Sequence, residues 1–417
     1  MKTILVHNGT LIDGTGRPPV GHAGVLITGD RVEAAGPVAE TAAAARADVQ
    51  RIDAAGGWLL PGFIDCHAHI TWEVASVEAQ MRRPLSLNFY NSVCYMRRTL
   101  DAGVTTVRDA GGADLGTRMA VETGIVPGPR LQICVTPLSP TGGHFDHRFP
   151  VGVTPKTPPY PGKPAAICDG VDEVRKRVRE VLLAGADVIK ICTTGGVLSP
   201  TDRPEYTQFS PEEIAVCVEE ARFRGGRKVM AHAIGAEGIK NAVRAGVHSI
   251  EHGVFLDDEG LDLMLERGAF LVPTLSAGIA VLELGERTGT VPEDVLEKAR
   301  LLVEHNLEAA AKARKAGVRI AFGTDASVFP HGQNLRELEM MTRIGMTPLE
   351  AIGSATRTAA ECLGWDDRLG TLEQGKLADL IVCSVDPLRD IAALRDPRNV
   401  VLVMKGGEVV KDIRGAA

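Results

Sequence analysis

No stretch of the sequence approaches the roughly eighteen consecutive apolar residues that a membrane-crossing helix needs. The opening segment, MKTILVHNGTLIDGTG, carries one lysine and a short apolar run cut by His7 and Asn8, too brief for a secretory signal core. The eight cysteines are scattered, and no C-x-x-C pair occurs among them. This excludes the usual redox and zinc-ribbon spacings, and a disulfide framework belongs to small secreted domains. No block of Lys and Arg is present, and the net charge is −7. A phosphate backbone is therefore an improbable partner. The expectation is a soluble cytoplasmic protein with reduced thiols and neither membrane nor nucleic-acid partners.

What is present suits a large globular enzyme. Hydrophobic residues make up 44% and charged residues 24% of 417 positions, enough for a barrel of about 250–350 residues plus a small appendage. Short strand-like segments with turn residues fill the first sixty positions, as in GVLITGDRVEAAG. The same texture returns in KLADLIVCSVD and NVVLVMKGGEVVKD. One small β-sandwich domain built from both termini, 1–60 and 366–417, is expected.

Between them, in 61–365, eight candidate strands alternate with amphipathic helical stretches: GFIDCHAH, GVTTVRDA, RLQICV, ADVIKIC, KVMAHA, HSIEHG, AFLVPTL and RIAFGTDA. That alternation predicts an α/β fold, a (β/α)8 TIM-like barrel with its helices outside. From about Thr136 to Val171 the chain holds Pro137, Pro140, Pro150, Pro155, Pro158, Pro159, Pro161 and Pro164. So long a loop after the third strand, on the face where barrels keep their active sites, reads as a lid or substrate-contact segment.

The chemistry starts with His67-Ala68-His69. Residues two apart on a strand point to one side, so both imidazoles reach one ion. Of the remaining histidines, only His232 and His252 directly follow apolar strands and precede glycine-containing turns. His7, His22 and His305 fall in the terminal β region or on a helix, and His248 begins its strand at the end opposite His252. These four read as structural. Asp325 ends the eighth strand, where a lone Asp serves equally as a helix N-cap. With four histidines on the same rim, a metal-linked carboxylate is the better reading.

Lys190 lies on the otherwise apolar fourth strand. Lysine is rarely buried unless paired. Burial lowers its pKa and exposes a neutral amine able to form a carbamate with carbon dioxide. Spacing alone leaves this level with an ammonium paired to Asp325 or Asp109.

The segments PGFIDCHAH and GTDA, with Lys190, His232, His252 and a C-terminal GTLEQGKLADLIV, resemble the amidohydrolase superfamily over nearly the whole chain. TTVRDAGG, KICTTGGVLSP, TQFSPEE, AHAIGAEGI and SIEHG are similar to its imidazolonepropionase-like branch, which contains Xaa-Pro and Xaa-Arg dipeptidases and related amidases. The resemblance implies two divalent metal ions, with zinc suited to these ligands. His67 and His69 would bind one metal with Asp325, and His232 and His252 the other. N6-carboxylated Lys190 would bridge both. A hydroxide between the metals would attack the amide carbonyl. Asp325 would carry its proton to the leaving amine, and His144 would donate to the carbonyl oxygen. Asp65 would orient the strand end without touching metal.

One position departs from the branch. Where an imidazole or hydroxyl often follows the fifth-strand histidine by two residues, this chain has Ile234. Tyr206 from the next loop is the expected substitute in substrate binding, unless the substrate itself is bulkier. The implied function is hydrolysis of an amide bond in a dipeptide (Xaa-Pro-like) or N-acyl amino acid, a small-molecule substrate, by a homo-oligomer. The alternatives are aryl amide, urea or carbamate hydrolysis, then phosphotriester or lactone cleavage. Deamination, generally a one-metal reaction without the lysine, is disfavoured. A metal-free assembly protein should show gaps among the six ligand positions, and there are none.

Overall fold

The computed structural model describes residues 2–73, 77–154, 159–199, 201–289 and 291–415. Five strands from the first part of the chain, Thr3–Leu11, Val20–Thr28, Arg31–Gly36, Gln50–Asp53 and Trp58–Pro61, share one sheet with Leu380–Cys383, Val400–Lys405 and Glu408–Asp412. The two ends meet where Trp58–Pro61 runs antiparallel to Leu380–Cys383. Period-two alternation decides which way each side chain faces. Ile4, Val6, Val25 and Ile27 join Leu380, Val382 and Leu402 in one buried cluster. Leu5 and Leu26 point oppositely, against Ala39 and Ala43 of the helix Val38–Ala44. Each such Leu, Ile or Val contributes about 1.5–3 kcal/mol by leaving water. Hydrogen bonds join these strands, all but Gln50–Asp53 along one continuous path.

Among the described residues, the middle of the chain holds eight parallel strands. Phe63–Ala68, Val104–Asp109 and Arg130–Ile133 form one sheet. Val188–Cys192, Lys228–Ala233, Ser249–His252, Phe270–Val272 and Arg319–Ile320 form the other. Isolated parallel bridges link the two, Leu138 to Ile191 at one side and Ala68 to Ala326 at the other. Helices cover the strands through regular apolar stripes. In Gly170–Leu183, for example, Val174, Val178 and Val181 are buried while charged residues face out. Pro211–Phe223 starts in a Ser210–Glu213 capping box, and Ala236–Ala245 ends at Gly246 with φ +94°.

The eighth strand is shorter than its apolar pattern predicts. Ala321 N–H still donates to Leu271 of the neighbouring strand, but beyond it the segment takes other partners: Phe322 N–H donates to Ser354, and both Thr324 and Asp325 to the His67 carbonyl. Gly323 permits this crossing, because a Cβ there would sit 2.3 Å from Val272 and 3.1 Å from His67.

The proline-rich connection has no helix among its described residues, but its start and end are tied down. Leu138 exchanges backbone hydrogen bonds with the Val188–Cys192 strand, and Ser139 with Ala166 and Cys168. Pro155 and Pro158 lie outside the described residues. No described helix is long and apolar enough to cross a membrane.

Candidate metal centre

Four histidines, Lys190 and Asp325 line one cavity of about 110 Å³ at the C-terminal ends of the parallel strands. His67 is the last residue but one of the Phe63–Ala68 strand, and His69 follows directly after the strand. The rings of His67 and His69 lie 5.6 Å apart, His67 and His252 5.1 Å, and His252 and His232 4.7 Å. Register brings His232 and His252 together, since His232 stands beside Glu251, and Ala233 beside His252. His252 (φ +73°), Thr274 (+47°) and Asp325 (+57°) are all left-handed. Such backbone is disfavoured by about 1–2 kcal/mol per residue and is held here by the surrounding packing.

Each ring is fixed through one nitrogen, leaving the other for the cavity. Nδ1 of His67 lies 2.7 Å from Glu251 Oε2, Nδ1 of His69 lies 2.8 Å from the Gly111 carbonyl, and Nδ1 of His252 lies 2.7 Å from Thr274 Oγ1. His232 is the reverse, with Nε2 2.9 Å from the Gly195 carbonyl. Such outer partners set which nitrogen carries the proton and hold the ring's direction. Burial keeps three rings neutral, the ligand form. It holds His67 and His232 well below the ordinary imidazole range and pushes His252 down to about 4.

The ligand atoms of His67, His69 and Asp325 all fall within 4.8 Å of one another. Asp325 Oδ1 lies 3.2 Å from His69 Nε2 and 3.6 Å from His67 Nε2. Burial alone would raise this carboxyl, but the hydrogen bond from His69 and the closeness of the His67 imidazole hold it well below the usual range. The Lys190 Nζ is buried without a hydrogen-bond partner among the described residues. Burial lowers its pKa against the pull of Glu251 and Asp325. Neither suggested carboxylate pairs with it. Asp109 instead accepts the backbone N–H groups of Ile70, Gly111 and Ala113. A buried, unpaired ammonium is costly by several kcal/mol. Burial thus disfavours the ammonium form, and the surroundings fit a ligand formed from the amine.

Asp65 touches none of these ring nitrogens. It is fully buried and accepts from His67 N–H, Thr324 N–H and Oγ1, and Asn334 Nδ2. It thereby stitches the His67 strand to the Asp325 segment, and burial pushes it up to about 6. His144 reaches the cavity from the proline-rich segment, its ring stacked 3.9 Å from that of His232 and its Nδ1 3.0 Å from Ser199 Oγ. Gly196 makes room for it, since a Cβ there would lie 2.2 Å from the imidazole. Ile234 lines the same cavity beside Val254 and Leu302.

Tyr206 does not line it. The bridge between Thr194 and Thr207 and the Gly195 N–H bond to the Tyr206 carbonyl turn this side chain outward, leaving it 55% exposed. His248 sits at the opposite strand end with Nε2 3.1 Å from the Cys362 carbonyl, and His305 bonds Leu301 on its own helix.

Sequence reasoning passed over Glu251 and Arg108. Glu251 Oε1 accepts from Arg108 Nη2 (2.9 Å) and Ser249 Oγ (2.6 Å), all buried beneath the histidines. The signal was available, since both are charged residues inside apolar strands, as Lys190 is. Thr274 and Glu337 carried no comparable signal. Glu337 accepts the N–H groups of Leu275 and Ser276 and so anchors the turn that presents Thr274 to His252.

Parallel strands presenting imidazoles, a carboxylate and a buried amine at one rim define a hydrolase with a metal centre. The chain belongs to the amidohydrolase family, whose model matches residues 58–410. It is 35% identical to ochratoxinase of Aspergillus niger over 98% of this chain and 87% of that protein. A crystal structure of a Xaa-Pro dipeptidase with bound methionine superposes with a TM-score of 0.87 at 35% identity, covering 98% of this chain and 100% of the other. A prolidase complexed with N-methylphosphonate-L-proline gives 0.89 at 36% identity, covering 99% and 100%. The chain is a hydrolase acting on carbon–nitrogen bonds.

Proposed function

We propose that the protein is a two-metal hydrolase of non-ring amide bonds, acting on dipeptides or N-acyl amino acids. The observation that carries this reading is the buried, unpartnered Lys190 amine set among four oriented histidines and Asp325. In this reading His67 and His69 with Asp325 would hold one divalent cation, and His232 with His252 the other. The Lys190 amine would add to carbon dioxide and lose a proton, and the resulting N6-carboxylate would serve as a ligand to both. Zinc suits these donors. When bound, the cations supply a hydroxide at neutral pH and polarise the scissile carbonyl.

The chain's own groups do the rest. Asp325 accepts the proton of the attacking oxygen and delivers it to the leaving amine. His144, stacked on His232, donates to the carbonyl oxygen as charge develops there. The relatives named ochratoxinase and Xaa-Pro dipeptidase support amide cleavage. A second reading, hydrolysis of aryl amides, ureas or carbamates, is favoured by one feature: the cavity wall of Ile234, Val254, Leu302 and Leu198 is apolar and suits a bulky group. We further read the eight parallel strands as one (β/α)8 barrel over 61–365, with the terminal sheet from 1–60 and 366–417 as a separate domain.

The test is metal analysis together with a screen of the metal-loaded protein against dipeptides, N-acyl amino acids, and aryl amides or ureas. Two equivalents per chain and amide turnover support the proposal. One equivalent at full activity, or activity unchanged by chelation, overturns it.

A further inference from the structure

A second cavity, about 790 Å³, adjoins the metal centre on the His69 side. Phe145 lines both cavities, and Trp72, on the wall of the second, stands 4.8 Å from the His69 ring. The small cavity that holds the metal centre, with its apolar wall at Ile234, and this larger mixed space are therefore neighbouring compartments. The volume suits a drug-sized group. Aromatic walls come from Trp72, Phe89, Phe145 and Tyr160, with the Phe89 and Tyr160 rings edge to face at 6.2 Å.

The charges in this compartment are unbalanced. Asp146 is neutralised by Arg148 through contacts of 2.8 and 2.6 Å, and Glu73 lies 3.9 Å from Arg98. Lys163 has no carboxylate within ion-pair distance among the described residues. Its Nζ donates to the Gly112 carbonyl at 3.1 Å and sits 5.6 Å from the centre of the Tyr160 ring. The acids facing it from farther off are committed elsewhere. Asp109 takes three backbone N–H groups, while Asp114 accepts from Thr117 and the Tyr160 hydroxyl. Arg83, also on the wall, likewise has no acidic partner among the described residues. A largely enclosed ammonium held by one carbonyl and an aromatic face retains capacity for an anion.

We infer that this second compartment receives the carboxylate-bearing half of the substrate, with Lys163 as its counter-charge and the Trp72, Phe145 and Tyr160 rings against its body. The inference rests on the amide-hydrolase reading of the adjoining centre and narrows it to anionic amides. The other half of the substrate then lies in the apolar compartment beside Ile234.

The experiment compares kcat/KM for the best N-acyl amino acid with that for its carboxamide, in the metal-loaded wild type, Lys163→Gln and Lys163→Arg. The carboxylate-over-carboxamide ratio should fall at least tenfold in Lys163→Gln and largely recover in Lys163→Arg. An unchanged ratio overturns the inference, whether or not overall activity drops. Calorimetric binding of hippurate (N-benzoylglycine) separates the two claims. Binding that weakens at least fivefold in Lys163→Gln upholds the compartment even if no amide is turned over, and only the amide reading then fails. Binding indifferent to Lys163 would place the carboxylate elsewhere and sink the assignment.

Discussion

Glu251 Oε2 stands 2.7 Å from Nδ1 of His67, while its other oxygen takes the Arg108 guanidinium at 2.9 Å. Burial alone would lower the Arg108 pKa, but Glu251 holds it above the ordinary value, so the guanidinium stays charged. The carboxylate holds the proton of His67 on Nδ1 and turns Nε2 to the cavity. Glu251→Gln keeps the shape but removes the charge. Metal content or turnover should fall by about 10–100-fold. Elemental analysis of the purified variant checks this, and full occupancy with wild-type turnover would refute the role.

Lys190→Ala removes the amine on which the bridging carboxylate would be built. The variant should lose the second metal equivalent and nearly all turnover. Short carboxylic acids such as acetate or propionate should restore part of the rate by occupying the gap. Full activity with both metals retained would show that Lys190 does not bridge.

His144→Ala should reduce kcat by about 10²–10³-fold, the usual effect of deleting one donor to a developing oxyanion, and leave metal content intact. Gly196→Ala tests the same position indirectly, because its methyl group would displace the imidazole. Equal loss of metal and rate in both variants would instead make His144 a ligand.

His248 offers a pH test away from the centre. Burial pushes it down to about 4 from 6.5, so the folded chain holds it neutral where the unfolded chain would protonate it. Its contribution is fully present above about pH 6.5 and is lost as pH falls toward 4, on the order of 2–3 kcal/mol in all. The stability difference between wild type and His248→Asn, measured by denaturant unfolding at pH 7 and pH 4.5, should shrink at the lower pH. A constant difference would show that the imidazole is not held neutral by burial.

Much of this site was legible because its chemistry sits at strand ends. Strand alternation and the following glycines picked out His67, His69, His232, His252 and Asp325, and the structure gathers all five around Lys190. Two features were harder to see. The segment after Ile320 reads as strand from its apolar residues, but its ladder is exchanged for bonds to His67, a tertiary choice that no local pattern encodes. Tyr206 was placed by proximity in sequence, whereas the direction of a loop side chain depends on bridges such as Thr194 to Thr207. Glu251 and Arg108 could have been found by applying to acids and arginines the argument applied to Lys190.

The terminal sheet imposes an order on synthesis. The edge of Trp58–Pro61 that finally pairs with Leu380–Cys383 leaves the ribosome long before its partner exists. At about 5–20 residues per second, that edge waits roughly a quarter of a minute to a minute. During the interval Trp58, Leu59 and Leu60 form an open, apolar template of the kind that invites pairing with a neighbouring chain. The metal-binding strands beginning at Phe63 follow immediately. Aggregation during overexpression should therefore start at this seam, and slower translation would lengthen the exposure.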